Sequence, residues 1–156
     1  MDYVSGGGTY VVQYVTPQRG EGENIGPYPL FLSRDRVSDE DAPVSLLVPA
    51  HPVFTTPNRI TSRDFDGWVQ ERGLYFAERW DPRYDSVLSC KDPGEPERRG
   101  GLLIARHGKG IFVYNGYAFF RQLPAGVEGA YRLFANILAL RQRLPAQSSH
   151  GRIPGS

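Results

Sequence analysis

The segment Asp2-Tyr3-Val4-Ser5-Gly6-Gly7-Gly8-Thr9-Tyr10-Val11-Val12-Gln13-Tyr14-Val15 (residues 2–15) decides the fold class. Its first half reads as the last turn of a helix with its glycine stop. Its second half is β-branched and aromatic, ends before Pro17, and reads as a strand. The apolar positions of that strand run almost without a break, the pattern of a strand covered on both faces. A helix end feeding such a strand is one joint of an α/β unit, and the expectation is that the preceding part of the unit is absent from this chain. The triple glycine resembles a phosphate loop in composition only, because it precedes a strand, whereas anion binding needs a helix N-terminus.

Working outward, residues 16–28 change to a polar loop composition. Leu30-Phe31-Leu32-Ser33 is a short strand, Ser38-Asp39-Glu40-Asp41 an acidic turn, and Val44-Ser45-Leu46-Leu47-Val48 another strand. Pro52 can open a short helical turn, and Thr61 or Ser62 offers an N-cap, with Asp64 and Asp66 in a first turn that favours acid. Residues 74–80 and 86–90 read as two strands joined by Asp81-Pro82-Arg83-Tyr84-Asp85, and a polar loop follows. The clearest pair is Gly101–Arg106 with Gly110–Tyr114, flanking the glycine-bearing connection His107-Gly108-Lys109-Gly110. Val127, Ala130, Phe134, Ile137, Leu138 and Arg141 follow helical spacing, with Arg141 and Arg143 near the negative end of the dipole. The helix is expected to pack through Phe134, Ile137 and Leu138. Residues 1–144 therefore form one domain and 145–156 a polar, disordered tail.

The 156 residues suit a single core, and 40% hydrophobic with 22% charged content excludes a disordered chain. A net charge of +1, without a basic stripe, excludes nucleic acid as the partner. No apolar run approaches the ~20 residues of a membrane span. The N-terminus lacks the basic and apolar regions of a secretory signal, so an exported protein would carry its address upstream. Lys91 and Lys109 are the only lysines, and Cys90 is the only cysteine, so no internal disulfide can form.

Several stretches carry a family resemblance. They are Gly7-Gly8-Thr9-Tyr10-Val11-Val12-Gln13-Tyr14, Gly26-Pro27-Tyr28-Pro29-Leu30, Ser33-Arg34-Asp35-Arg36-Val37 and Pro57-Asn58-Arg59-Ile60-Thr61. Asp64-Phe65-Asp66-Gly67-Trp68-Val69-Gln70-Glu71-Arg72-Gly73-Leu74-Tyr75-Phe76 follows. The series closes with Phe119-Phe120-Arg121-Gln122-Leu123-Pro124-Ala125-Gly126 and Gly129-Ala130-Tyr131-Arg132-Leu133-Phe134-Ala135-Asn136. Over roughly residues 3–140 the chain resembles the C-terminal region of large bacterial deacetylases of the PIG-L/LmbE type. The resemblance implies an α/β fold: a partial class I glutamine amidotransferase-like (flavodoxin-like) domain, with a mixed sheet, antiparallel hairpins from Leu74 onward and a C-terminal helix. It also implies an accessory role beside an N-terminal deacetylase domain or other subunits, with zinc held by that missing domain.

The residues themselves supply little chemistry. Ala50-His51-Pro52-Val53-Phe54 puts apolar side chains where the family's metal motif needs carboxylates, so His51 reads as a turn or capping histidine. Cys90 lacks the elbow glycines of a glutaminase nucleophile and reads as a small hydrophobe at a strand end. The histidine that can follow the strand at 111–114 in amidotransferase-like domains is replaced by Asn115-Gly116-Tyr117, while His107 and His150 lie in a turn and the tail. Asp64 with Asp66, or Glu71 with Glu78, could be drawn as acid pairs, but a solvated surface explains them better. No catalytic, cofactor-binding or metal-ligating residue is assigned. What remains is aromatic: Trp68, Tyr75, Trp80, Tyr114, Tyr117 and Phe120, with Gln70, Arg72 and Asn115 as polar companions. These nine either pack and dock the domain or form a platform for a glycan, and packing is the stronger reading because Phe119, Phe120 and Leu123 are too apolar for a wet sugar site.

Overall fold

The computed structural model describes residues 1–17 and 25–140. In chain order these form helix α1 (Asp2–Ser5), β1 (Thr9–Gln13), β2 (Leu30–Val37), β3 (Val44–Leu46) and α2 (Pro52–Thr55). A 3₁₀ turn (Ser62–Phe65), β4 (Gly73–Trp80), β5 (Asp85–Ser86) and β6 (Leu88–Cys90) follow. The chain continues through β7 (Leu102–His107), β8 (Gly110–Asn115), α3 (Phe119–Gln122) and α4 (Glu128–Ala139). The expectations for Arg141, Arg143, His150 and the tail 145–156 lie outside the described residues, as does part of the loop after β1.

The fold is mixed α/β. Its central sheet has the order β1-β8-β7-β5, with β1 parallel to β8 and the other pairs antiparallel. Side chains alternate across this sheet with a period of two. Leu102, Ile104, Ile111, Val113 and, from β1, Val11 face one apolar cluster, which holds Phe54, Phe65, Trp68, Phe76 and Ile137. Leu103, Ala105, Phe112, Tyr114 and Val12 face a second, with Leu30, Tyr84 and Trp80. Both faces of β7 and β8 are thus covered, which is why these two strands are apolar at nearly every position.

Two short antiparallel ladders brace the layers, β2 with β4 and β3 with β6. The expected hairpin between residues 74–80 and 86–90 does not form. The turn itself is present, with Tyr84 N–H donating to the Asp81 carbonyl at 3.0 Å, but β4 pairs with β2 and the chain beyond the turn splits. β5 joins β7, while the wholly buried β6 joins β3. Burial of Leu88–Cys90 against a distant strand outweighs the local connection. β2 is also longer than expected, because residues 34–37 continue it through a bulged, half-exposed register.

Local chemistry at the remaining elements is simple. His51 caps α2, its Nδ1 accepting from Val53 N–H at 3.1 Å, and Pro52 fills the first helical position. Thr61 and Asp64 form a capping box, with Thr61 N–H donating to Asp64 Oδ2 at 2.7 Å, but the turn they start is 3₁₀. α4 buries Ala130, Leu133 and Ile137, whereas Leu138 is 55% exposed. Ile137 and partly buried Phe134 pack on the core as expected, with Phe134 5.8 Å from the Phe119 ring, and only Leu138 leaves the stripe, which Leu133 joins instead. Its polar member, Asn136, donates to the Val53 and Asn58 carbonyls at 2.8 and 2.7 Å and so ties α4 to the α2 segment. Gly129 lets α4 approach the 3₁₀ turn, since a Cβ there would meet the Asp64 carbonyl at 1.9 Å.

Candidate functional site

The interior claims most of the aromatic set. Trp68, Arg72, Tyr114, Asn115 and Tyr117 are all at most 4% exposed. Trp68 stacks among Phe65, Tyr117 and Phe119 and donates from Nε1 to the Asp64 carbonyl at 3.0 Å. Arg72 is spent on backbone, donating to the Ala42 and Phe65 carbonyls with its guanidinium 5.6 Å from the Trp68 ring. Asn115 closes the turn after β8, donating to the Tyr117 carbonyl at 2.8 Å and accepting from Tyr117 N–H at 3.2 Å. Trp80 belongs to the other apolar cluster, so the two tryptophans lie on opposite faces of the sheet. A platform made of all nine residues is therefore corrected: five are interior, and Trp80 faces away from Trp68.

Gln70, Tyr75 and Phe120 do converge, and around a residue that sequence reading left on the surface. Glu71 is only 2% exposed. Its Oε1 accepts from the Tyr14 hydroxyl at 2.6 Å and from Arg121 Nε at 3.2 Å, and its Oε2 accepts from Arg36 Nη2 at 2.8 Å. Arg121 also donates to the Gln70 amide oxygen and lies over the Phe120 ring at 4.8 Å. The Tyr14 ring meets Tyr75 and Phe120 edge-on at 5.2 and 4.6 Å. The Tyr114 hydroxyl donates to the Tyr75 carbonyl, and Gln70 N–H donates to the Glu40 carboxylate.

The backbone is unusual at this cluster. Among the described residues the non-glycine positions with positive φ are Tyr14 (53°), Gln70 (70°) and Tyr75 (63°); Tyr14 bonds to Glu71, Gln70 precedes it, and Tyr75 packs on the Tyr14 ring. Left-handed backbone at such residues costs of order 1 kcal/mol or more each and persists only where neighbours hold it, as at ligand clamps and active sites. The location agrees: Gln13 ends β1 and Asn115 ends β8, so the cluster sits beyond the C-terminal ends of the parallel pair. Ligands of open α/β sheets bind at such ends.

Burial pushes the Glu71 carboxyl up, but the hydrogen bonds from Tyr14, Arg121 and Arg36 prevail and hold it below the ordinary carboxylate range. Tyr14 moves the opposite way, raised by burial and by its bond to Glu71. The pair is thus a carboxylate beside a neutral phenol, which binds and orients but holds no labile proton near neutrality. Cys90 is no better placed for chemistry. It is 3% exposed, its sulfur lies 3.5 Å from the Tyr117 hydroxyl, and burial pushes the thiol up to about 11. Glu78 is exposed and does not pair with buried Glu71, while Asp64 is occupied by Thr61 and by Arg132 Nε at 2.8 Å. Among the described residues no three His, Cys, Asp or Glu side chains gather as a metal site, and the His51 Nδ1 is already an acceptor.

Tyr14, Arg36, Glu71 and Arg121 were not singled out as site residues, because they come from four separate segments. One signal was available: an acid flanked by Gln70 and Arg72 between two tryptophans is hard to leave in solvent. No family model matches the chain, and neither the curated proteins nor the solved structures give a match. No helix of the described residues is long and apolar enough to cross a membrane.

Proposed function

We propose that the chain is a non-catalytic accessory domain of a PIG-L/LmbE-type zinc-dependent N-acetyl-sugar deacetylase, with a partial amidotransferase-like (flavodoxin-like) core. It supports or oligomerises the catalytic domain, which would hold the zinc. The observation that carries this reading is the state of β1. Gly8 O and Tyr14 N bond toward β8, so by alternation the N–H and C=O groups of Thr9, Val11 and Gln13 turn toward the sheet's outer edge. Natural edge strands are kept short or charged, and β5 at the other edge is both: two residues beginning with Asp85. β1 carries no charge, no proline and no bulge, and its valines reach into both apolar clusters. Tyr10 within it is exposed, and so are Met1 and Tyr3 in the segment before it. Such a strand suits pairing with a neighbour.

The buried thiol of Cys90 supports the non-catalytic part of this reading. The alternative, a carbohydrate-binding module built on an aromatic platform, loses most of its members to the core. The test is an acetate-release assay on N-acetylglucosamine, using the purified chain with and without zinc. The expected result is no turnover in either condition, and turnover that Cys90→Ala abolishes would overturn the assignment.

A further inference from the structure

A groove of about 360 Å³ opens beside the Glu71 cluster, lined by Gln13, Tyr14, Tyr117, Phe119, Phe120 and Leu123. Its walls are apolar and aromatic, and Phe120 is half exposed within it. Arg121 is not part of the lining but adjoins it: its guanidinium lies over the ring of the lining residue Phe120 and shares Glu71 Oε1 with the hydroxyl of the lining residue Tyr14. Nε and Nη1 of Arg121 are bound to Glu71 and Gln70, which leaves Nη2 without a partner among the described residues. Arg36, more than half exposed, likewise commits only Nη2. Glu71 is outnumbered by the guanidiniums of Arg36 and Arg121, so the local charge disfavours a cationic ligand. Two guanidiniums share that one buried carboxylate, and their free N–H groups are donors for an anion.

We propose that this groove binds a small carboxylic acid with an apolar aryl or acyl body, its carboxylate on Arg121 and its body between Tyr14, Phe120 and Leu123. The lining excludes a freely hydrated body, because its polar groups are engaged elsewhere: the Tyr14 hydroxyl donates to Glu71, the Tyr117 hydroxyl lies 3.5 Å from the Cys90 sulfur, and the Gln13 amide oxygen accepts from Asn115 Nδ2 at 3.5 Å. The rim selects the charge. Arg121 is oriented in advance by Glu71 and Gln70, so little side-chain freedom is lost when a carboxylate arrives. This inference does not rest on the accessory role, although Gln13, the last residue of β1, borders both the groove and the outer edge of that strand.

The test is a titration of the full chain with 3-phenylpropionate and its neutral counterpart 3-phenylpropan-1-ol, followed by amide chemical shifts. The acid is expected to bind at least about tenfold more tightly, equivalent to about 1.4 kcal/mol, with the largest shifts at Gln13 and Phe120. Arg121→Gln should bring the acid down to the affinity of the alcohol, and Phe120→Ala should weaken both. Because Arg121 also braces Glu71, a salt series on the unmodified protein gives an independent reading: 0.5 M sodium chloride should weaken the acid and leave the alcohol unchanged. Equal affinity for the two probes, indifference to salt, no binding of either at millimolar concentration, or saturable binding of N-acetylglucosamine in their place would overturn the proposal.

Discussion

Glu71 shows how one residue can organise a region. A buried carboxylate is tolerated only when paired and hydrogen-bonded, and here three side chains from separate segments supply the donors. Glu71→Gln removes the charge from a buried acceptor whose arginine partners are partly exposed, which is expected to destabilise the fold by about 1.5 kcal/mol; urea denaturation measures it. The pH dependence follows from the lowered carboxyl. Its contribution is complete above the unfolded value of about 4.3 and is lost as pH falls through the lower folded value. The acid limb of the stability profile should therefore be shallower in Glu71→Gln than in the parent. Cys90 yields a second expectation at this scale: burial and a thiol raised to about 11 mean that labelling by a disulfide reagent at pH 8 waits for unfolding. Rapid labelling of the folded chain would show the sulfur to be accessible.

At the level of elements, legibility followed sequence distance. α1, β1, β7, β8, the His51 cap and the Thr61 cap rest on neighbours within a few residues, and the sequence shows them. Pairing of β4 with β2, and of β6 with β3, joins residues far apart in the chain, from Val37 with Gly73 to Leu30 with Trp80, and no local signal encodes it. α4 lies between these cases. Its existence is plain from periodicity, but its packing face depends on where α2 and the 3₁₀ turn press against it. The corrected stripe makes an experiment direct: Ile137→Ala should cost about 2–4 kcal/mol while Leu138→Ala, on the exposed side, should stay within about 0.5 kcal/mol. Thermal unfolding of both variants distinguishes the faces. His51→Ala should cost about 1 kcal/mol through loss of the α2 cap, read by the same method.

For the whole molecule, the asymmetry of the central sheet is the main result. One edge ends in the two-residue β5, and the other in an uncharged strand built like a central one. The candidate site was legible only in part, since Gln70, Tyr75 and Phe120 were named as contacts while Tyr14, Arg36, Glu71 and Arg121 were not. Assembly of those four is a property of the three-dimensional fold, in which the C-terminal ends of β1 and β8 meet the turn before β4. The edge of β1 offers the most direct test, by amide hydrogen exchange of the chain alone and after addition of a PIG-L-type deacetylase domain. In the isolated chain the N–H groups of Thr9, Val11 and Gln13 should exchange quickly while those of Val12 and Tyr14, directed at β8, are protected. With the deacetylase domain present, the three fast amides should become protected too; fast exchange that persists in the mixture, or protection already complete in the chain alone, would contradict a docking role for this edge.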